Sequence, residues 1–239
     1  MTDIPRRSFA AGAGLLVGAV ALRTQAQQKK EEAQQLASAN LPNRHAEPLA
    51  FKPDRVPGLS AKLLTRHHDE DYAGAVRRLN SIEEQLVKID FANMSAPELS
   101  RLKREELMAF NASSLHELYF ASLGEMPTRP SGLFADAISR DFGALERWQA
   151  EFGATAKSLS SGSGWVILAY SPRDRRLYNH WAADDSMAPA GSTPLLAIDM
   201  YEHAYAADYG ADAAAYVDAF LKIVKWPNAE RLYREALRV

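Results

Sequence analysis

The feature that most constrains this 239-residue chain is a carboxylate followed by a histidine at the end of an apolar run. Asp199 comes directly after the apolar residues 195–198, and His203 lies four positions further on. A carboxylate oxygen and an imidazole nitrogen together suit a first-row metal such as iron, manganese or zinc. The same spacing also arises by chance, with the Asp capping a helix and the His in solvent. The pair is therefore a metal-site hypothesis that needs support from elsewhere in the chain.

Two predicted helices, each with a histidine on its apolar side, supply that support. Ser60 is a good N-cap for the first helix, whose apolar face carries His67. Ser95 and Glu98 have the spacing of a capping box for the second helix, in which His116 lies on an apolar stripe. If the two helices run antiparallel and face each other, His67 and His116 come together.

The composition narrows the class of function. Lys and Arg number 28 against 30 Asp and Glu, so the net charge of -2 speaks against a nucleic-acid partner. There is no cysteine, so the chain forms no disulfide and offers no thiolate to a metal.

Several blocks of this sequence resemble the iron/manganese superoxide dismutases. Residues 194–209 read PLLAIDMYEHAYAADY, which is similar to the family's C-terminal signature Asp-x-Trp-Glu-His-Ala-Tyr. Four further blocks match in the family's order: residues 60–80, residues 116–120 (HELYF), residues 141–143 (DFG) and residues 162–165 (GSGW). The resemblance runs from about Leu59 to the C-terminus.

The fold predicted is α+β, with an N-terminal antiparallel helical hairpin over residues 58–130 and a C-terminal α/β domain over residues 131–239. The composition changes after Pro130, and residues 134–160 are expected to be helical. Strands are predicted over residues 165–170, 175–181 and 194–198, with a turn at residues 171–174. The resemblance implies the same order, in which a three-stranded antiparallel sheet covered by helices follows the hairpin.

The resemblance implies that His67, His116, Asp199 and His203 hold one iron or manganese ion per subunit and that the reaction is dismutation of superoxide. His68 is the rival to His67, and the spacing back from Leu79-Asn80 favours His67. In the family, the residue two before the Asp ligand is tied to the choice of metal, and Ala197 leaves iron and manganese both open.

The residues expected around the ligands depart from the family pattern. A Tyr and a His of the first helix are replaced by Ala75 and Asp71, and a later Tyr is replaced by Ala206. The residue that hydrogen-bonds metal-bound solvent, usually Gln, corresponds to Asp185, or to Asp184 with a one-residue shift. Asp185 is thus the expected catalytic residue. The alternative function is a non-catalytic metal-binding or structural relative with this fold.

Further departures bear on assembly and on the aromatic residues. The family's Trp between the Asp and Glu of the signature is Tyr201, and the Trp of the second helix is Phe120. Glu202 and His203 preserve a pair that bridges two subunits in family dimers, so a homodimer is expected. Loss of a second bridge with Asp71 and Ala206 predicts that this dimer is weaker than usual.

The N-terminus predicts export. Arg6-Arg7 precedes an apolar run over residues 10–22, which is short for a membrane helix and typical of a twin-arginine signal over residues 1–26. Cleavage after Ala26 would give a periplasmic or otherwise exported protein without a membrane anchor; the alternative is an uncut, anchored N-terminus. Residues 27–57, which include four prolines, are expected to form an extended arm.

Overall fold

The computed structural model describes residues 13–238 of the protein. The α-helices are α1 (Ala13–Ala39), α2 (Ala61–Arg66), α3 (Ala73–Lys88), α4 (Ala96–Ala121), α5 (Gly132–Phe142), α6 (Leu145–Lys157), α7 (Ala206–Tyr209), α8 (Ala213–Ile223) and α9 (Pro227–Ala236). A π-helical segment, His67–Tyr72, joins α2 to α3, and 3-10 turns lie at Pro53–Arg55 and Glu202–Ala204. The strands are β1 (Trp165–Ser171), β2 (Arg176–Ala182) and β3 (Thr193–Asp199).

Both arms of the helical hairpin start at the capping residues predicted from the sequence, Ser60 and Ser95. The Ser60 hydroxyl accepts the N–H of Leu63 at 3.1 Å, which starts the helix that continues through the π segment into α3. The Ser95 hydroxyl caps α4 by accepting the backbone N–H of Glu98, and it also donates to the Glu98 carboxylate at 2.5 Å. α3 and α4 then pack against each other, so the predicted hairpin and the α+β class are confirmed.

The sheet is antiparallel, with strand order β2-β1-β3. β1 is buried along its whole length because it lies in the middle of the sheet with helices packed on it. Trp165, the first residue of β1, pairs with Asp199, the last residue of β3. This register places the predicted Asp ligand at the edge of the sheet that faces the hairpin, since α4 packs against β3.

One apolar core joins the hairpin to the α/β part, with fully buried members such as Leu64 from α2, Leu168 from β1 and Phe220 from α8. The stretch predicted to be helical, residues 134–160, consists of two helices, α5 and α6. Gly143, with φ +87°, ends α5, and α6 starts afresh at Leu145. A residue with positive φ terminates a helix at low cost only when it lacks a Cβ, as glycine does.

The prediction of an extended arm over residues 27–57 is wrong for its first part. Residues 27–39 are the end of α1, which packs on α3. Lys30 Nζ forms an ion pair with Asp90 Oδ2, just after the end of α3, at 2.6 Å. This stretch is rich in Ala, Gln, Glu and Lys, which are strong helix formers, and its first proline is Pro42. The twin-arginine pair at Arg6-Arg7 lies outside the described residues. Among the described helices, none is long and apolar enough to cross a membrane.

Candidate metal centre

The predicted ligands come from four separate elements that meet between the hairpin and the sheet. His67 is the first residue of the π segment, His116 lies near the end of α4, Asp199 ends β3, and His203 is in the 3-10 turn that follows. Their exposures are 1% for His67, 4% for His116 and 0% for Asp199, while His203 is partly exposed. Short π segments occur inside α-helices frequently at functional sites, as one does here.

The donor atoms of these four side chains converge on a single point. The Oδ2 atom of Asp199 is 3.1 Å from the Nε2 atom of His67, 3.4 Å from that of His116 and 3.0 Å from that of His203. All four ligand atoms lie within 4.8 Å of one another. Two ligands bound at about 2.1 Å and set roughly 90–110° apart are about 3.0–3.4 Å from each other. The spacing therefore fits an ion at the centre of the cluster.

The unsatisfied nitrogen of His116 supports the same conclusion. Its Nδ1 atom is 2.7 Å from the backbone carbonyl oxygen of Ala112, so Nδ1 carries the proton and Nε2 is left as an acceptor. That Nε2 atom is buried and has no hydrogen-bond partner among the described residues. A buried polar atom without a partner calls for an explanation, and an ion bound to it gives one. Three imidazoles and one carboxylate suit iron or manganese.

Asp199 is held in place from two directions. The backbone N–H of Tyr201 donates to its Oδ1 atom at 2.8 Å, which leaves Oδ2 for an ion. The hydroxyl of Tyr216 donates to its backbone carbonyl at 2.8 Å. Such contacts fix the direction of a ligand and raise its basicity. The role of Tyr216 was not predicted from the sequence, because it depends on how α8 packs under the end of β3.

The electrostatics keep the carboxylate charged. Burial raises the pKa of Asp199, but hydrogen bonds and charge from His203 and His67 outweigh it and hold that pKa well below its usual range. Burial lowers the pKa of His116 to about 4, against the opposing charge of Asp199. For His203, burial lowers the pKa, but the hydrogen bond and charge of Asp199 leave it raised overall. A metal takes imidazoles in the neutral form, which His116 already holds at neutral pH.

Aromatic side chains form the wall of the centre. The Trp165 ring meets His116 edge-on with 5.1 Å between ring centroids, and Tyr201 stacks on His203 at 5.5 Å with 3° between the planes. Tyr72 stacks on His116 at 6.1 Å and 8°. Tyr72 was missed in the sequence, although its apolar neighbours on the first helix were recognised. Tyr72 is the last residue of the π segment, and only 1% of it is exposed.

Asp185, the expected catalytic residue, lies behind this wall. Its Oδ1 atom accepts the indole N–H of Trp165 at 2.9 Å, and its Oδ2 atom accepts the hydroxyl of Tyr201 at 3.3 Å. Burial raises the pKa of Asp185. Its alternative, Asp184, instead accepts hydrogen bonds from Ser186 in the loop between β2 and β3. Asp185 is thus the member of the acidic pair that contacts the aromatic residues beside the ligands.

The other histidines among the described residues are not part of this ligand cluster. His68, the rival to His67, has its ring nitrogens 2.7 Å from Asp69 Oδ1 and 2.9 Å from the Glu47 carbonyl oxygen. His45 and His180 are likewise absent from the ligand group. The first ligand is His67.

Comparison with known proteins agrees with this geometry. Residues 130–232 match the family described as iron/manganese superoxide dismutases, C-terminal domain. An iron superoxide dismutase of Cupriavidus metallidurans is 52% identical over 191 residues, which cover 80% of this chain and 96% of that protein. A manganese superoxide dismutase of Halobacterium salinarum is 37% identical, covering 79% and 94% respectively. An iron superoxide dismutase of Pyrobaculum aerophilum is 31% identical, covering 76% and 87%.

Proposed function

The chain belongs to the iron/manganese superoxide dismutase family and catalyses the dismutation of superoxide; we propose that it does so with iron, as a homodimer, after export from the cytoplasm. The observation that carries the activity is the convergence of His67, His116, Asp199 and His203 on one point with metal-ligand spacing. Two superoxide ions and two protons give one dioxygen and one hydrogen peroxide.

A bound iron or manganese ion would supply the redox couple that this reaction needs. The protein's contribution is to hold three neutral imidazoles and one carboxylate in place. The Ala112 carbonyl fixes the proton of His116 on Nδ1, and the Tyr201 N–H donates to Oδ1 of Asp199, which leaves Oδ2 for the ion. Trp165 and Tyr72 cover His116 and keep bulk water from that side.

The charge of Asp185 is proposed to tune this centre. Its carboxylate bonds both to Trp165, which touches His116, and to Tyr201, which stacks on His203. A negative charge in a half-buried position favours the more highly charged, oxidised ion. Where the family's usual Gln both donates and accepts, an ionised Asp only accepts. We therefore expect Asp185 to lower the reduction potential of the metal.

The choice of iron rests on similarity. The relative with 52% identity is named as an iron enzyme, whereas the manganese enzyme of Halobacterium salinarum is 37% identical. The donor set by itself accepts both ions. Elemental analysis of the protein purified from its native compartment should give about one iron per chain and little manganese. Manganese at one per chain, with full activity, would contradict the proposal of iron.

The homodimer is proposed to form through the surface that carries Glu202 and His203. Glu202 is exposed, so its carboxylate can reach a second subunit. Sedimentation of the wild-type protein should show a dimer at micromolar concentration, and Glu202→Gln should shift the equilibrium toward monomer. A wild-type monomer at that concentration with its activity intact would contradict the dimer.

Export by the twin-arginine route is proposed because that route carries folded proteins, which suits a chain that acquires its metal before it crosses the membrane. Cell fractionation should find the wild type in the periplasm, with a mature N-terminus at Gln27, and Arg6→Lys/Arg7→Lys should hold it in the cytoplasm. Mass spectrometry that finds the uncut chain in the membrane fraction would favour the anchored alternative.

The second candidate function is a metal-binding relative that has lost catalysis. The observation in its favour is the replacement of the family's first-helix Tyr and His by Ala75 and Asp71, close to the ligands. Activity per bound metal atom separates the two functions, because a structural relative would hold the ion and leave superoxide decay unchanged.

A further inference from the structure

Two of the metal ligands lie in a row of four nearly parallel rings. Tyr72 stacks on His116 with 8° between the ring planes, and Tyr201 stacks on His203 with 3°. The rings of His116 and His203 are themselves 20° apart. The centroid distances along the row are 6.1, 5.8 and 5.5 Å, within the range of stacked aromatic pairs. The row therefore begins with Tyr72, which is the neighbour of the ligand His116.

The tilt of the His116 ring is the property that Tyr72 controls. The hydrogen bond from Nδ1 of His116 to the Ala112 carbonyl oxygen, at 2.7 Å, runs along the N–H bond and so lies close to the ring plane. This bond fixes the direction of the ring but leaves the ring free to tilt about the same line. A parallel neighbour opposes the tilt, because a tilted ring collides with it. Trp165 meets His116 edge-on, at 79°, so Tyr72 provides a flat surface that Trp165 does not.

Tyr72 is in turn fixed by residues 44–51, which we call the N-terminal strap. Tyr72 is buried, and its hydroxyl accepts the backbone N–H of Glu47 at 3.0 Å. His68, four residues earlier on the π segment, donates from Nε2 to the backbone carbonyl of the same Glu47 at 2.9 Å. The π segment that carries the first ligand therefore binds both backbone groups of Glu47.

The N-terminal strap is attached to the fold on both sides of Glu47. Before it, Nδ2 of Asn80 donates to the backbone carbonyl of Arg44 at 2.8 Å. After it, Leu49 packs against the apolar core, and Phe51 is a buried member of that core. The position of the Glu47 N–H is thus set by contacts that lie outside the metal centre.

We propose that Tyr72 is a positioning residue of the ligand His116 and that the backbone N–H of Glu47 holds Tyr72 against it. The N-terminal strap thereby supports the metal centre, although none of the four predicted ligands belongs to it. The inference rests on the metal-binding function proposed above. It concerns the buried His116 and leaves the proposed contact of His203 with a second subunit as it is.

The test measures how fast the iron-loaded protein loses its ion to a chelator, together with the electron paramagnetic resonance spectrum of the ferric form, which responds to ligand orientation. Tyr72→Phe keeps the stacked ring and removes only the acceptor of the Glu47 N–H. It should speed metal loss about fivefold, the size of one ordinary hydrogen bond, and should change the spectrum. Tyr72→Ala removes the ring as well and should speed metal loss about 10- to 100-fold, the usual effect of removing the support of a ligand.

Two control variants separate positioning from a general loss of stability. Asn80→Ala removes a hydrogen bond to the same strap, at Arg44, but leaves Tyr72 and its partner in place. It should lower the Tm of the metal-free protein about as much as Tyr72→Phe does, yet release metal at the wild-type rate. Glu47→Ala keeps both backbone groups of Glu47 and should also release metal at the wild-type rate.

Metal release from Tyr72→Phe at the wild-type rate would overturn the proposal, and this variant decides the matter even if Tyr72→Ala does not fold. Equal release rates in Tyr72→Phe and Asn80→Ala would also overturn it, because the effect would then follow stability alone. So would a ferric spectrum that stays the same in the Tyr72 variants, since His116 would then keep its orientation without the tyrosine. A wild type that takes up no iron would refute the metal-binding function and this proposal with it, and that outcome is recognised before any variant is compared.

Discussion

Replacement of Asp199 by Ala removes the side chain on which the whole centre converges. Asp199 is fully buried; its Oδ1 atom accepts the backbone N–H of Tyr201, and its Oδ2 atom lies 3.1 Å from Nε2 of His67 and 3.0 Å from Nε2 of His203. The substitution leaves these groups buried without their acceptor and takes one ligand from the ion. Both consequences lower the free energy of unfolding, and they can be measured separately.

The expected loss is large. Removing one member of a buried charged pair costs about 3–5 kcal/mol, because its partners stay buried. An ion that binds only the native state adds about 2.7 kcal/mol when it is present at about 100 times its Kd. The sum is roughly 6–8 kcal/mol, compared with about 5–15 kcal/mol for a typical folded protein. In the metal-free protein the first part alone lowers Tm by roughly 6–20 °C in a chain of this size.

The assay is thermal unfolding of the metal-free and metal-loaded forms, with metal content measured on the same samples. Wild type should bind one ion and melt higher when loaded, whereas Asp199→Ala should bind none and melt at one low temperature. Asp199→Asn is the matched control, because it keeps the volume and the acceptor for Tyr201 but not the charge. It should bind metal weakly and lose less stability. Full metal content and an unchanged Tm in Asp199→Ala would show that the ligand assignment is wrong.

The remaining predictions concern the reduction potential of the metal, the pH dependence of stability in the metal-free protein, and a glycine that the backbone requires. Asp185→Gln should raise the reduction potential of the metal in a redox titration and change the dismutation rate, whereas Asp184→Gln should do much less; equal, negligible effects would make this acidic pair structural. The metal-free protein should lose stability as pH falls from 6.5 to about 4, because burial lowers the pKa of His116 to about 4 and only the unfolded chain takes up a proton in that window. Melting temperatures of metal-free His116→Gln should fall less steeply over this range, and an equal slope would contradict the cause. Gly164→Ala should destabilise the fold far more than Gly191→Ala in denaturant titrations. Both glycines have positive φ, so the backbone strain is common to the two variants. A Cβ at residue 164 would lie 2.0 Å from a carbonyl oxygen of β2, whereas a Cβ at residue 191 would have no atom within 4 Å. Comparable losses would show that backbone strain, not the clash, is decisive.

The ligands and the fold class could be predicted because short stretches of neighbouring residues indicate them. Caps at Ser60 and Ser95 start the two hairpin helices, and the apolar run before Asp199 is a buried strand that ends at the site. Apolar faces and caps are properties of neighbouring residues, so the chain itself determines them. The resemblance to a family, through the spacing back from Leu79-Asn80, then favoured His67 over His68 as the first ligand.

The features that were missed depend on backbone departures and on partners distant in the chain. The helical period of 3.6 residues does not predict the π segment. In that segment Tyr72 stacks on His116, and Asp71 lies near His203. The break at Gly143 was missed because a glycine inside an apolar pattern is also tolerated in a helix. The contact from Tyr216 to Asp199 joins elements whose packing no local pattern fixes.

The most direct measurement is the rate of superoxide decay, followed by stopped flow, against the amount of metal bound per chain. The rate should rise in proportion to bound iron across partially loaded samples, fall to that of the metal-free protein after chelation, and return on reconstitution. His116→Ala, which lacks one of the four ligands, should show no metal-dependent rate. A fully loaded wild-type protein that leaves superoxide decay no faster than its metal-free form would contradict catalysis and establish a metal-binding relative instead.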